Sequence, residues 1–455
     1  MTQPVNRSQP YNRNKHEWAS LRYYAKSSLG RFPVFRHALV SCWRILKYYG
    51  IATKTRWTVF SNRLKGYYGR NFNVDKIYWV NPQDIVYCSL REFDLQNFKG
   101  QVIPGDWDRL EKKFCDLDVY VAFKYVCLDG GKWSDTAFYR QVITQLEKGA
   151  VLWGCKDKDD FERRCESLEQ LFYTIQKHGY RSQSAVSKTL SKTDEMKLED
   201  EVGINIGRNG DMLFTDGAHR LAIAKMLGIP KIPVKIAVRH TGWADLRREL
   251  LRYTRLHPGE KLPPASHLDL DDIVPLNEWE KMFSAIRDST GIKAGRLFDI
   301  GPGFGYFCQQ FEKIGFECYA VDASEEKKFL LERLKRAGNY VFNLTDRPSP
   351  DHFDIILALN LPGVSGGIAE HESIGIDLLQ NIHWKEIYLC LPYPTNLQSE
   401  TNDSVYPILR QMHLKLNHPR IERIPAELNG RVLYKLVDGV SGSDEVQPVT
   451  LSIGM

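Results

Sequence analysis

Along the chain the spacing of apolar residues changes several times, and each change predicts an element. From Val34 to Tyr49, the residues Phe35, Leu39, Trp43 and Leu46 recur every three to four positions, predicting a helix with Arg36, Arg44 and Lys47 around its apolar face. Lys76-Ile-Tyr-Trp-Val80 reads as a strand. Two further strands meet at Arg208-Asn-Gly210, a good hairpin turn, and the second ends at Asp216. Then a helix buries Leu221, Ala224, the stem of Lys225 and Leu227, stopping at Gly228 with Pro230 beyond. A strand starts at Pro233 and a charged helix runs from Trp243 to Arg255. Beyond the Pro-rich stretch His257-Pro-Gly-Glu-Lys-Leu-Pro-Pro264, the segment Arg296–Phe307 reads as a buried strand, a glycine-rich turn and the start of a helix. That helix is expected from Tyr306 to Lys313, followed by the strand Glu317–Val321.

These patterns divide the chain into a leader (1–74), a first domain (75–260), a second domain (261–440) and a polar tail (441–455). The predicted class is α/β. Hydrophobic content of 43% and charged content of 26% suit a globular protein with real cores. No apolar run is long enough to cross a bilayer, and the polar, basic start does not have the pattern of a secretory signal. Nine dispersed cysteines, with no CxxC, suit a reducing cytoplasm in which they fill cores.

Charge changes the picture of the leader. Its 74 residues hold fourteen Lys or Arg against Glu17, a net +13, so the remainder carries 6 − 13 = −7. Fourteen aromatic residues are interleaved with those cations. Three uses stay open: packing on the first domain or a partner, attachment to an anionic membrane surface, and nucleic-acid binding. The expected location is cytoplasmic, with peripheral attachment at the inner face of the cytoplasmic membrane if the second use holds.

Candidate chemistry begins at Asp299-Ile-Gly-Pro-Gly-Phe-Gly305. Gly301, Gly303 and Gly305 supply a tight turn and let the backbone approach a ligand. The next strand ends in Asp322, 23 positions after Asp299, where a carboxylate can accept hydrogen bonds from both ribose hydroxyls. Asp299-Ile-Gly-Pro-Gly-Phe-Gly305 resembles the first motif of class I S-adenosylmethionine (SAM)-dependent methyltransferases, and the resemblance extends over about 296–395. It implies a Rossmann-like domain with a fourth strand at His352–Asn360, a fifth at Trp384–Pro394, and Asp346 at the adenine. The segment after the fourth strand would face the substrate, pointing to Asn360, His371 and Glu372. His371 could serve as general base, though an exposed loop histidine fits as well. Asn360-Leu-Pro-Gly363 replaces the Asn/Asp-Pro-Pro-Tyr motif of amino-methylating nucleic-acid enzymes, which leans towards an oxygen acceptor.

A second signal is Asp216-Gly-Ala-His-Arg220, between a hairpin and a helix. It resembles the ParB/sulfiredoxin-like fold, implying an α+β first domain with its first strand at Ile77–Ile85 and a helix from Leu168. Between them lies an insertion of about sixty residues, expected to be helical. Gly217, His219 and Arg220 at a helix start favour a phosphate, and Asp216 could hold Mg²⁺. Asp216 capping the helix, with Arg220 paired to it, is the purely structural alternative. Ala218 stands where sulfiredoxins need a Cys. In the kinases of this fold a carboxylate after the first strand takes the acceptor proton, which points to Asp106 or Asp108 as base, or to a plain helix cap. Together the two resemblances imply a bifunctional enzyme that uses SAM, ATP or another nucleotide, and Mg²⁺ on a glycan or polyol acceptor. The architecture is similar to that of bifunctional kinase-methyltransferases acting on bacterial surface polysaccharides. The alternative is a DNA-associated ParB-like binding protein carrying a methyltransferase domain.

Overall fold

The structure, a computed structural model, describes residues 33–181, 201–258, 263, 267–273, 277–338, 340–345, 352–359, 379, 382–392, 407–428 and 431–438. The tail 441–455 lies outside them. The chain divides into two compact units, Met1–Asp245 and Leu246–Met455. The division falls inside the helix Thr241–Leu256, upstream of the Pro-rich stretch expected to separate the domains. Side-chain bonds explain this. Arg247, fully buried, gives its Nη2 to both Asp272 oxygens at 2.8 and 2.9 Å and lies 3.6 Å from Asp269. Glu249 pairs with Arg333, and Tyr253 sets its ring edge-on to Phe304. The second half of the helix thus belongs to the second unit.

In the first unit a mixed sheet is built from β1 (Tyr78–Val80), β2 (Tyr87–Cys88), β3 (Gln101–Ile103), β4 (Val202–Ile206), β5 (Met212–Asp216) and β6 (Ile232–His240). Its order is β1-β6-β4-β5-β2, with β3 also paired to β6. The first strand is shorter than expected. Pro82 lacks a donor and opens a 3-10 turn, Pro82–Asp84, whose start is capped by the Asn81 side chain accepting from the Gln83 amide at 3.0 Å. Between β3 and β4 the insertion is helical, with Asp118–Cys127 and Ala137–Glu147 ahead of Lys158–His178. The last helix starts ten residues before Leu168, where Asp157 caps it by accepting from the Asp160 amide. Phe161, Cys165, Leu168, Phe172 and Ile175 recur at four and three residues and are all buried, joining Phe123, Phe138 and Val142 in one core.

The leader is not separate from this unit. Its helix runs over Pro33–Leu64, beyond the expected Tyr49, because Gly50 alone does not break a helix of that length. It ends at Lys65-Gly66, with Gly66 in the left-handed region (φ 77°). Val59, Tyr68 and Phe72 form a buried cluster; Tyr68 and Phe72 stack at 3.7 Å, and Arg239 of β6 lies over both rings.

In the second unit seven strands form one sheet: β7 (Gly295–Ile300), β8 (Phe316–Val321), β9 (Asn343–Leu344), β10 (His352–Ala358), β11 (His383–Pro392), β12 (Arg420–Leu428) and β13 (Arg431–Val437). The order is β12-β13-β11-β10-β7-β8-β9. From β9 to β11 neighbouring strands are parallel, and β13 runs antiparallel to both β11 and β12. Apolar clusters cover both faces, one including Met282, Phe307, Phe311 and Leu331, the other Phe298, Phe353, Leu409 and Met412. Such two-sided burial is what lets Phe353–Ala358 and Ile387–Leu391 be near-continuous apolar runs. This is an α/β Rossmann-like fold.

Candidate functional site

In an open α/β sheet a ligand binds beyond the carboxyl ends of the strands where the strand order reverses. Here the reversal lies at β7, which has β8 on one side and β10 on the other. Asp299 is in register with Ala320 of β8 and Leu357 of β10, so all three strands end at the same level. Gly301 leaves β7 with its amide bonded to the Val321 carbonyl at 2.9 Å. That bond sets Asp322, the next residue, directly beside the turn. Its Oδ1 accepts from the Ser324 amide at 2.9 Å, Lys327 lies 3.9 Å from Oδ2, and the side chain is largely enclosed.

Each glycine of the turn has positive φ: 71° at Gly301, 58° at Gly303 and 85° at Gly305. At Gly303 and Gly305 the protein itself also approaches closely. A Cβ on Gly303 would stand 2.6 Å from Cδ and 3.0 Å from the backbone N and O of Pro263, and the Pro263 carbonyl accepts from the Phe304 amide at 2.9 Å. A Cβ on Gly305 would meet Leu331 at 2.7 Å and Phe342 at 3.3 Å. Thus Gly303 receives a strap from the chain itself, and Gly305 lets the helix Tyr306–Lys313 sit close to Leu331 and Phe342.

Asp299 lies behind the turn, 2% exposed, accepting from Cys308 Sγ at 3.6 Å. Burial raises its carboxyl to about 7, which the Cys308 bond opposes and the Asp322 charge reinforces. A cation held near it would favour the ionised form. The residues therefore fit SAM: an enclosed acid at the end of β8, a sharp turn, and a carboxyl that a positive ligand would charge. Asp346, Asn360, His371 and Glu372 lie outside the described residues.

At the other candidate turn, Gly217 adopts φ 83° and a Cβ there would stand 3.1 Å from Val202 Cα. It opens the helix Ala218–Met226, and the Gly217 amide bonds Asp216 Oδ1 at 2.8 Å. Asp216 is exposed; among the described residues no cluster of three His, Cys, Asp or Glu could hold a metal. A divalent ion at Asp216 would take the rest of its shell from phosphate and water. His219 packs 5.7 Å from the Phe123 ring, and burial, with Arg164 adding, lowers its imidazole to about 4. It is neutral at pH 7 and supplies no charge to an anion. Arg220 interacts with Tyr180, whose hydroxyl burial raises to about 12 while Arg220 pulls it down and buried Glu201 pushes it up.

Asp106 and Asp108, the expected bases, are both paired with Arg208. Asp108, 5% exposed, takes the Arg208 amide at 2.7 Å and its Nη2 at 2.7 Å; Asp106 takes Arg208 at 2.9 Å and Arg109 at 2.7 Å. Burial pushes the Asp108 carboxyl up, but the Arg208 bonds outweigh it and the net shift is down. For Asp106 the Arg208 bond dominates and also lowers it. Both are acceptors already engaged. They stand at the Gly207–Asp211 hairpin end, whereas Asp216 and His219 stand at the other end of β4 and β5. A five-residue strand separates the ends, roughly 13 Å at about 3.3 Å per residue. The clamp Arg208, the strap Pro263 and Tyr180 beside Arg220 escaped sequence reasoning. Only Arg208, a cation inside a recognisable hairpin turn, carried a signal.

No family model matches the chain, and no curated protein matches it. Among solved structures, the ribosomal protein L11 methylase from Lactobacillus delbrueckii subsp. bulgaricus is 19% identical with a TM-score of 0.27, covering 36% of this chain and 78% of its own. The magnesium protoporphyrin IX methyltransferase from Synechocystis PCC 6803, with bound SAM, is 14% identical with a TM-score of 0.28, covering 41% and 89%. The bifunctional kinase-methyltransferase WbdD is 13% identical with a TM-score of 0.29, covering 41% and 46%. Likenesses this faint carry no weight of their own, and the fold of the second unit rests on its strand order and its turn.

Proposed function

We propose that this protein is a SAM-dependent methyltransferase whose first unit binds a nucleotide or phosphate. One observation carries the reading: the positive-φ turn at Gly301–Gly305 and the enclosed Asp322 stand together where the strand order reverses. SAM, when bound, supplies a methyl group already activated on a sulfonium. The chain's own part is binding and alignment. Asp322 would accept from the ribose hydroxyls, and Asp299, buried behind the turn, would favour a positive ligand through its charge alone. The absent Asn/Asp-Pro-Pro-Tyr motif favours an oxygen acceptor, and a glycan or similar polyol fits that preference.

In the first unit the phosphate reading rests on Gly217, the helix start at Ala218 and Arg220. Its resemblance to ParB/sulfiredoxin-like kinases extends the proposal to phosphorylation of the acceptor before methylation, with Mg²⁺ at Asp216. Arg208 pairs with both Asp106 and Asp108, so either would have to leave that pair to act as base. The test is incubation of the purified protein with ATP, Mg²⁺, SAM and candidate glycans, read by mass spectrometry. Methyl and phosphate gains on one product support the full reading. Methyl alone, unchanged in Asp216→Ala, removes the phosphotransfer part, and neither gain contradicts both.

A further inference from the structure

One face of the long leader helix has no role in either site. Tyr49, Trp57, Phe60 and Leu64 are 66%, 71%, 50% and 74% exposed. Their steps of eight, three and four residues place them within about 80° of arc at 100° per residue. The opposite face is committed: Val59 is buried with Tyr68 and Phe72, and the Asn62 side chain bonds the Gly100 carbonyl at 3.0 Å. Arg56 and Arg63 flank the apolar row on one side and Lys54 on the other, Arg63 also donating to the Phe72 carbonyl at 3.2 Å and Lys54 to the Asn97 carbonyl at 3.1 Å. In sequence, the same three-and-four spacing continues back through Leu46, Leu39 and Phe35.

Charge selects the occupant. Residues 18–74 contain no Asp or Glu, so the helix presents cations without internal compensation. A second copy docked on this face would set Arg56 and Arg63 against like charges. Nucleic acid would use the cations and stack on the rings but leave Leu64 without an apolar partner. An anionic lipid surface uses both: aliphatic and aromatic side chains enter the headgroup and acyl boundary, and the flanking cations meet lipid phosphate. Among the described residues no helix is long and apolar enough to cross a membrane, which leaves a helix lying in the plane. We propose that the exposed face at Tyr49–Leu64 attaches the protein to an anionic membrane surface.

This inference is independent of methyl transfer, so its test uses binding alone. Full-length protein is sedimented with vesicles of phosphatidylcholine, with or without phosphatidylglycerol. The expected result is partitioning to the anionic vesicles at least about tenfold above the neutral ones, and a drop of about tenfold in the triple variant Trp57→Ser, Phe60→Ser, Leu64→Ser. Because all three are exposed, the variant keeps the wild-type circular dichroism and melting curve; Arg56→Gln, a milder change, should lower only the anionic preference. Equal partitioning to both vesicles, or binding unchanged by the triple substitution, overturns the proposal. So does a dimer that the triple variant converts to monomer with vesicle binding intact. Tight, salt-sensitive oligonucleotide binding without vesicle binding overturns it in favour of nucleic acid.

Discussion

His219 and Asp299 show how burial, more than sequence position, decides what a titratable residue can do. His219 sits beside Arg220 in a motif that suggests anion binding, yet its enclosed imidazole stays neutral, lowered from 6.5 to about 4. A histidine with a depressed folded pKa contributes stability above 6.5 and loses it as pH falls through 4. We expect the first unit to melt progressively earlier between pH 6.5 and 4, and His219→Gln to flatten that slope in thermal melts followed by circular dichroism. An unchanged slope would place the acid sensitivity elsewhere. Asp322 was legible in the sequence because a carboxylate closing a strand after a glycine turn has a recognisable spacing. Asp108 was legible only as a carboxylate. The partner that engages it, Arg208, is 100 residues away, and no local pattern reports such a pairing.

At the scale of elements, periodicity did most of its work where one face is buried. The helix Tyr306–Lys313 and the hairpin at Arg208–Gly210 form as the spacing predicts, and the helix starting at Ala218 stops before Gly228. Boundaries moved where neighbours intervened: the Asp157 cap extends one helix, and Pro82 shortens the first strand. The glycine turn was read correctly as a turn, but the reason for Gly303 lay in tertiary contact. Pro263 occupies the space beside it. Gly303→Ala must therefore strain a backbone at φ 58° and displace the strap, and we expect a loss of about 1–3 kcal/mol in the second unit. Denaturant unfolding measures it. A change below about 0.5 kcal/mol would mean that Pro263 yields without resistance.

For the whole molecule, the two-unit plan was visible in the change from one set of motifs to another, but its boundary was not. The Pro-rich stretch looks like a linker by composition, whereas Arg247, Glu249 and Tyr253 tie the preceding helix to the second unit. Similarly, the leader's charge was plain from its residues, while only the folded helix separates the face that packs from the face that stays exposed. The molecule so described has a glycine turn at the strand reversal of one unit, the Asp216–Arg220 turn in the other, and a basic helix with an exposed apolar row. On the proposed reading, the second unit binds SAM through the turn and Asp322. Isothermal titration of SAM into the full-length protein and into Asp322→Ala tests this directly. The account predicts saturable one-site binding to the wild type and a loss of at least about tenfold in the variant, since a hydrogen-bonded charged partner is worth about 1.5–3 kcal/mol. No heat with the wild type, or equal affinity in the two proteins, would contradict it.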